Sequence, residues 1–154
     1  MSKLFAPLLI AGIVIYSFVS SAKQFIKGWT FRINKIQIDT TKTAELMLEG
    51  VAIKINLIFN NPSAFEVKIK SLELKTYFQN KILSSSVSTN VIEIKPKSNT
   101  SIILPTTILF KNIISNRKEI INELLDGKLT IQVVANINSN YGEIKINESK
   151  LIEL

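Results

Sequence analysis

The chain has no cysteine and no histidine among its 154 residues. Without cysteine there is no thiol nucleophile, no thiolate zinc site and no disulfide to staple the fold. Without histidine the commonest general base and the commonest transition-metal ligand are both gone. Glycine occurs five times and proline four, so neither a glycine-rich phosphate cradle nor a flexible linker stands out. Serines remain at Ser84-Ser85-Ser86 and Ser98, the latter near Lys95 and Lys97. A serine nucleophile needs an activating base and an oxyanion cradle, and Pro96-Lys97-Ser98-Asn99 reads instead as a polar turn. Glu66, Glu73, Glu93 and Glu143 stand singly among strand positions, without the spaced oxygen ligands of a calcium loop. The inventory describes a non-enzymatic protein with no catalytic residue, no metal site and no cofactor.

Acidic residues are missing from the first 35 positions, which hold Lys3, Lys23, Lys27, Arg32 and Lys35. The other fourteen basic residues face all twelve acidic ones, so only +2 of the net +7 belongs to the rest of the chain. A nucleic-acid binder would carry a basic stripe interleaved with stacking aromatics on its folded body. That pattern is absent, and nucleic acid is excluded as a partner.

What is abundant is apolar sequence at the start. From Leu4 to Ala22 no side chain is charged, and a helix of that length just crosses a bilayer core of about 30 Å. The expected anchor is carried by Leu4, Phe5, Leu8, Leu9, Ile10, Ile13, Val14, Ile15, Phe18 and Val19. Lys3, Tyr16, Lys23, Phe25, Lys27 and Trp29 flank it as interface residues, since aromatic rings and lysines settle at headgroup level. Ser20-Ser21-Ala22 also offers a signal-peptidase site. The reading taken is an uncleaved single-pass anchor, with the body leaning toward the cytoplasmic side. The segment 1–30 is thus an anchor with its juxtamembrane stretch, and 31–154 is one domain of ordinary size.

The body alternates with period two. Phe31, Ile33, Ile36 and Ile38 make a strand with one slip near Asn34-Lys35. Val51, Ile53, Ile55, Leu57 and Phe59 alternate strictly, and Asn60-Asn61-Pro62-Ser63 stops them. Phe65, Val67 and Ile69 change phase to Leu72, Leu74, Thr76 and Phe78, as an extra residue near Lys70-Ser71 would produce. Gln79-Asn80-Lys81 turns into Ile82–Ser86; further strands are expected at Val91–Ile94, Ser101–Leu109, Leu129–Ala135 and Tyr141–Ile146. Between them, Ile113, Ile114, Arg117, Ile120, Ile121, Leu124 and Leu125 fall on one stripe of a helix over Asn112–Leu125, with Arg117 its one charged residue. Asp126-Gly127 stops that helix, which is expected to cap the core. About seven strands with one inserted amphipathic helix argue for an all-β sandwich.

The run Leu57-Ile-Phe-Asn-Asn-Pro-Ser63, then Val67, Ile69, Leu72 and Leu74, then Asn80-Lys-Ile-Leu-Ser84, resembles the LEA14-like, or water-stress and hypersensitive-response (WHy), domain family. Pro105 in a later strand and the helix before the final hairpin are similar to that family as well. The family usually has glycine where this chain has Asn80-Lys81. The resemblance implies a fibronectin-III or immunoglobulin-like sandwich, often behind an N-terminal anchor, with Asn60, Asn61 and Pro62 as its motif turn and no catalytic residues to carry over. Three roles follow as expectations. The first is a membrane-anchored structural or protein-binding module, partnered by the lipid bilayer and by another protein or further copies of itself. The second is a component linking membrane to shell in a membrane-containing virion. The third, implied by the resemblance, is protection against desiccation and other stress.

Overall fold

Alternation of buried and exposed side chains organises the chain from Trp29 onward. The computed structural model describes residues 6–7, 14–16, 18–19, 29–113 and 117–153. In chain order the elements are β1 (Ala6–Pro7), β2 (Val14–Tyr16), β3 (Phe18–Val19), β4 (Thr30–Ile38) and α1 (Thr40–Glu45). Next come β5 (Gly50–Asn61), β6 (Val67–Phe78), β7 (Lys81–Ser88), β8 (Ile92–Ile94) and β9 (Ser98–Leu109). A 3-10 turn over Phe110–Asn112 leads toward α2 (Arg117–Leu125), β10 (Thr130–Ser139) and β11 (Gly142–Glu153).

One curved sheet runs β7-β6-β10-β11-β4-β5-β9, with β8 on β6 and β2 on β11. Every contact is antiparallel except β11 with β4, a short parallel pairing of Ile152 with Ile36 and Glu153 with Gln37. The all-β expectation holds. The two layers of the expected sandwich are joined through β11 and β4 into a sheet that curls almost into a barrel. Its end strands β7 and β9 meet without a ladder, tied where the Ser86 hydroxyl donates to the Pro105 carbonyl at 3.3 Å. Pro105 has no N–H to give, which suits an edge strand.

Local irregularities fall where the alternation slips. β4 shifts register against β5 between Ile33 and Lys35. β6 shifts against β10 at Lys70, since Ser71 opposes Asn138 and Ile69 opposes Ser139. Each extra residue returns the next apolar side chain to the core face. The β6–β7 hairpin places both Gln79 (φ 47°) and Asn80 (φ 64°) in the left-handed region, as a primed turn requires. α2 ends in Gly127 at φ 66°, with Lys128 N–H donating to the Glu123 carbonyl at 2.8 Å.

The inserted helix is shorter than expected. It starts at Arg117, and 114–116 lie outside the described residues. Ile113 and Ile120 join the core and Leu124 packs against it, so it caps the barrel as expected. α1 was not anticipated, because none of its residues is buried and no apolar stripe betrays it. Asp39 starts it, with Oδ1 accepting from Lys42 N–H at 3.1 Å.

Most of the expected anchor (Leu4, Phe5, Leu8, Leu9, Ile10, Ile13) and the interface residues Lys3, Lys23, Phe25 and Lys27 lie outside the described residues. Where the segment is described it is extended, not helical: β1 pairs with β3, and β2 sets Val14, Ile15 and Tyr16 opposite Lys145, Ile144 and Glu143. β4 pairs with β11 only at Ile152 and Glu153, leaving that earlier stretch of β11 to β2. β-Branched and aromatic residues favour such extended pairing. No helix among the described residues is long and apolar enough to cross a membrane.

Candidate functional site

The motif turn Asn60-Asn61-Pro62 sits at the end of the barrel where β5 stops and β6 and β9 begin. Asn61 is completely buried. Its Nδ2 donates to the Phe65 carbonyl at 2.7 Å and to the Lys95 carbonyl at 3.1 Å. Its Oδ1 accepts from Ser63 N–H at 3.1 Å and from the Ser63 hydroxyl at 2.6 Å. Both amide donors and both acceptor lone pairs are therefore used internally. Lys97 N–H adds a bond to the Ser63 carbonyl at 3.0 Å, so the motif turn and the turn before β9 are one hydrogen-bonded unit. Ser98, considered above as a nucleophile, donates to the Lys95 carbonyl at 2.6 Å within that turn.

Trp29 belongs to the same end. Expected at a membrane interface, it is only 1% exposed. Its ring meets Phe59 edge-on at 5.6 Å and Tyr141 at 5.5 Å, and Phe31 lies 5.0 Å from Phe59. The indole plugs the barrel where β4 enters, a pocket assembled from residues far apart in sequence. Its Nε1–H is buried without a hydrogen-bond partner among the described residues. Burial also raises the Tyr141 phenol above its ordinary range, with Glu66 adding to the effect.

The carboxylates do not converge. Glu73 faces Lys75 at 3.0 Å, and that hydrogen bond, with a smaller contribution from Asn136, holds its carboxyl below the usual range. Glu66 and Glu93 flank Lys68 at 3.6 and 3.5 Å. Asp39 is lowered first by the Lys42 backbone N–H and then by Lys54, whose ammonium lies 3.1 Å away. No group of three acidic, histidine or cysteine residues that could hold a metal occurs among the described residues.

The opposite end of the barrel holds a feature the sequence did not disclose, a cavity of about 290 Å³. Ile38 and Val51 form its floor, Phe110, Ile121 and Leu124 one wall, and Leu48 and Leu125 its rim. Thr43 supplies the one polar side chain of the lining. Its Oγ1 is already committed to β5, accepting from Ala52 N–H at 3.0 Å and donating to the Ala52 carbonyl at 3.3 Å. At the rim Leu48 is 88% exposed at φ 71°, and Met47 before it in the chain is 83% exposed at φ 47°. For a side chain beyond glycine or asparagine, that backbone region costs roughly 1–2 kcal/mol.

The fold has known counterparts. A protein from Archaeoglobus fulgidus matches with a TM-score of 0.53 at 10% identity, covering 81% of this chain and 99% of that one. A protein from Arabidopsis thaliana matches with a TM-score of 0.53 at 11% identity, covering 100% of this chain and 97% of that one. At such identities the likeness concerns the fold alone. No curated protein matches by sequence. The profile of the late embryogenesis abundant protein family matches residues 57–149, a stretch that takes in Asn60, Asn61, Pro62 and the strands β6 to β10. This chain belongs to the late embryogenesis abundant protein family (LEA_2).

Proposed function

We propose that the chain is a non-enzymatic stress-protection protein of the late embryogenesis abundant type, preserving other macromolecules as water is lost. The family match over 57–149 carries this reading. Asn61 of the family's motif turn is wholly occupied in holding that turn and the Lys95–Ser98 turn together, so its amide is a structural group and not a catalytic one. A labile reporter enzyme dried with this chain should keep more activity than one dried with an unrelated β protein of equal mass. Equal losses, together with unchanged survival on drying of cells lacking the gene, would sink the proposal.

A second reading adds a membrane tether and makes the β domain a structural or protein-binding module held at the bilayer. It rests on the uncharged run Leu4–Ala22 and on five basic residues with no acidic one in the first 35 positions. Alkaline carbonate extraction of the full chain, beside a variant beginning at Lys23, tests it. The tether stands if only the full chain stays in the membrane pellet, and falls if both are released.

A further inference from the structure

The cavity at the end of the barrel away from the motif turn is lined almost wholly by hydrocarbon. We propose that this cavity binds the single alkyl chain of a monoacyl lipid, tail inward, with the polar head left in water beyond Leu48 and Leu125. The inference is independent of the protective role.

Three observations carry it. First, the lining dictates the chemistry of the ligand. Thr43 is its sole polar side chain, and that hydroxyl is bonded to the Ala52 backbone. A polar group driven inside would lose its water and gain no side-chain partner, whereas methylenes lose nothing. Second, size limits the ligand. A methylene takes about the room of a water molecule, roughly 30 Å³, so about 290 Å³ holds one chain of eight to ten carbons. Third, the rim is apolar at a cost. Leu48 stands exposed in a backbone region that asparagine or glycine would occupy with far less strain.

A protein partner fits less well. Leu48 and Leu125 are the large exposed apolar side chains that line this mouth. They supply far less than the roughly 800 Å² per partner of a stable interface. Charge gives no rival cue either, because Glu49 and Lys111, which line the adjoining depression with Leu48 and Phe110, are of opposite sign.

The test is a chain-length series. The full chain, labelled at its isoleucine, leucine and valine methyls, is titrated with straight-chain carboxylates from hexanoate to tetradecanoate, each below its micelle concentration. Affinity should rise about fourfold per added methylene and level off near decanoate. Methyl shifts should centre on Ile38, Val51, Ile121 and Leu124, while the emission of Trp29 at the other end stays unchanged. Leu48→Asn should weaken decanoate binding about tenfold and yet raise the melting temperature, a combination that a merely structural Leu48 would not give. Affinity that climbs on through tetradecanoate, or shifts scattered over the surface, would mean detergent-like adsorption and overturn the proposal. So would capture by phosphatidylcholine vesicles without any carboxylate plateau, or a Leu48-dependent dimer in sedimentation that ignores decanoate.

Discussion

Replacing Asn61 by alanine removes the one side chain that ties the motif turn to the turn before β9. Four hydrogen bonds disappear with it: to the carbonyls of Phe65 and Lys95, and from the amide and hydroxyl of Ser63. A typical internal hydrogen bond contributes about 1 kcal/mol net. Phe65 and Lys95 are exposed residues, so water can reach part of what is freed. The expected loss is therefore about 3 kcal/mol, less than four full bonds with their desolvation penalties. In a chain of this size that lowers the melting temperature by about 6–12 °C. Trp29 is the only tryptophan, and it touches Phe59 two residues before Asn61, so its emission reports urea unfolding directly.

Asn61→Asp sharpens the test. The carboxylate keeps an acceptor for Ser63 but turns an oxygen toward the two carbonyls that Nδ2 served. Burial and those carbonyls raise its folded pKa above the unfolded value. The variant should match Asn61→Ala or fall below it at neutral pH. It should recover as acid protonates the carboxyl, because stability of a group with a raised folded pKa is lost as pH rises. A loss below about 1 kcal/mol for alanine, or an aspartate variant indifferent to pH, would refute the account of this turn.

Other positions give simpler tests. In Gly50→Ala the new Cβ would lie 2.4 Å from the Ile108 carbonyl oxygen on β9, so β5 and β9 must separate, costing about 2–3 kcal/mol by thermal unfolding. Lys97 sits at φ 53° on an exposed turn, and Lys97→Asn should stabilise by about 0.5–1 kcal/mol in urea melts while Lys97→Pro unfolds the turn. Asp39 has its pKa lowered by the Lys42 N–H and by Lys54. Its support of α1 is present above its unfolded pKa and lost as pH falls through the folded one. The protection of the Thr43 amide, the slowing of its exchange relative to an unstructured amide at the same pH, should fall in acid and in Asp39→Ala, but stay near native in Asp39→Asn.

The strands were legible because one face of each is buried and the period shows. Ile53 through Phe59, and Leu129 through Ala135, display it without interruption. Even the bulge at Lys70 could be placed, since the burial phase flips there. The second half of β11 was missed because between Ile146 and Glu153 only Ile152 is buried. Its parallel partner Ile36 lies more than a hundred residues away. Trp29 was misplaced for the same reason, its partners Phe59 and Tyr141 coming from distant strands. The motif turn was visible as a stop signal, but not that Asn61 reaches across to Lys95. The cavity left no mark at all, as its walls come from five separate stretches between Ile38 and Leu125.

The parallel contact of β4 with β11 bears on how the domain would answer a pull. β4 begins at Thr30 beside Asn60, and β11 finishes at Glu153 beside Gln37. Thr30 and Glu153 thus stand near opposite ends of β4, about 23 Å apart along it. Tension applied through Trp29 and Glu153 would load the Ile36–Ile152 pairing in shear, so its bonds must fail together and not unzip in turn. Pulled from those two points, the domain would resist most along the axis of β4.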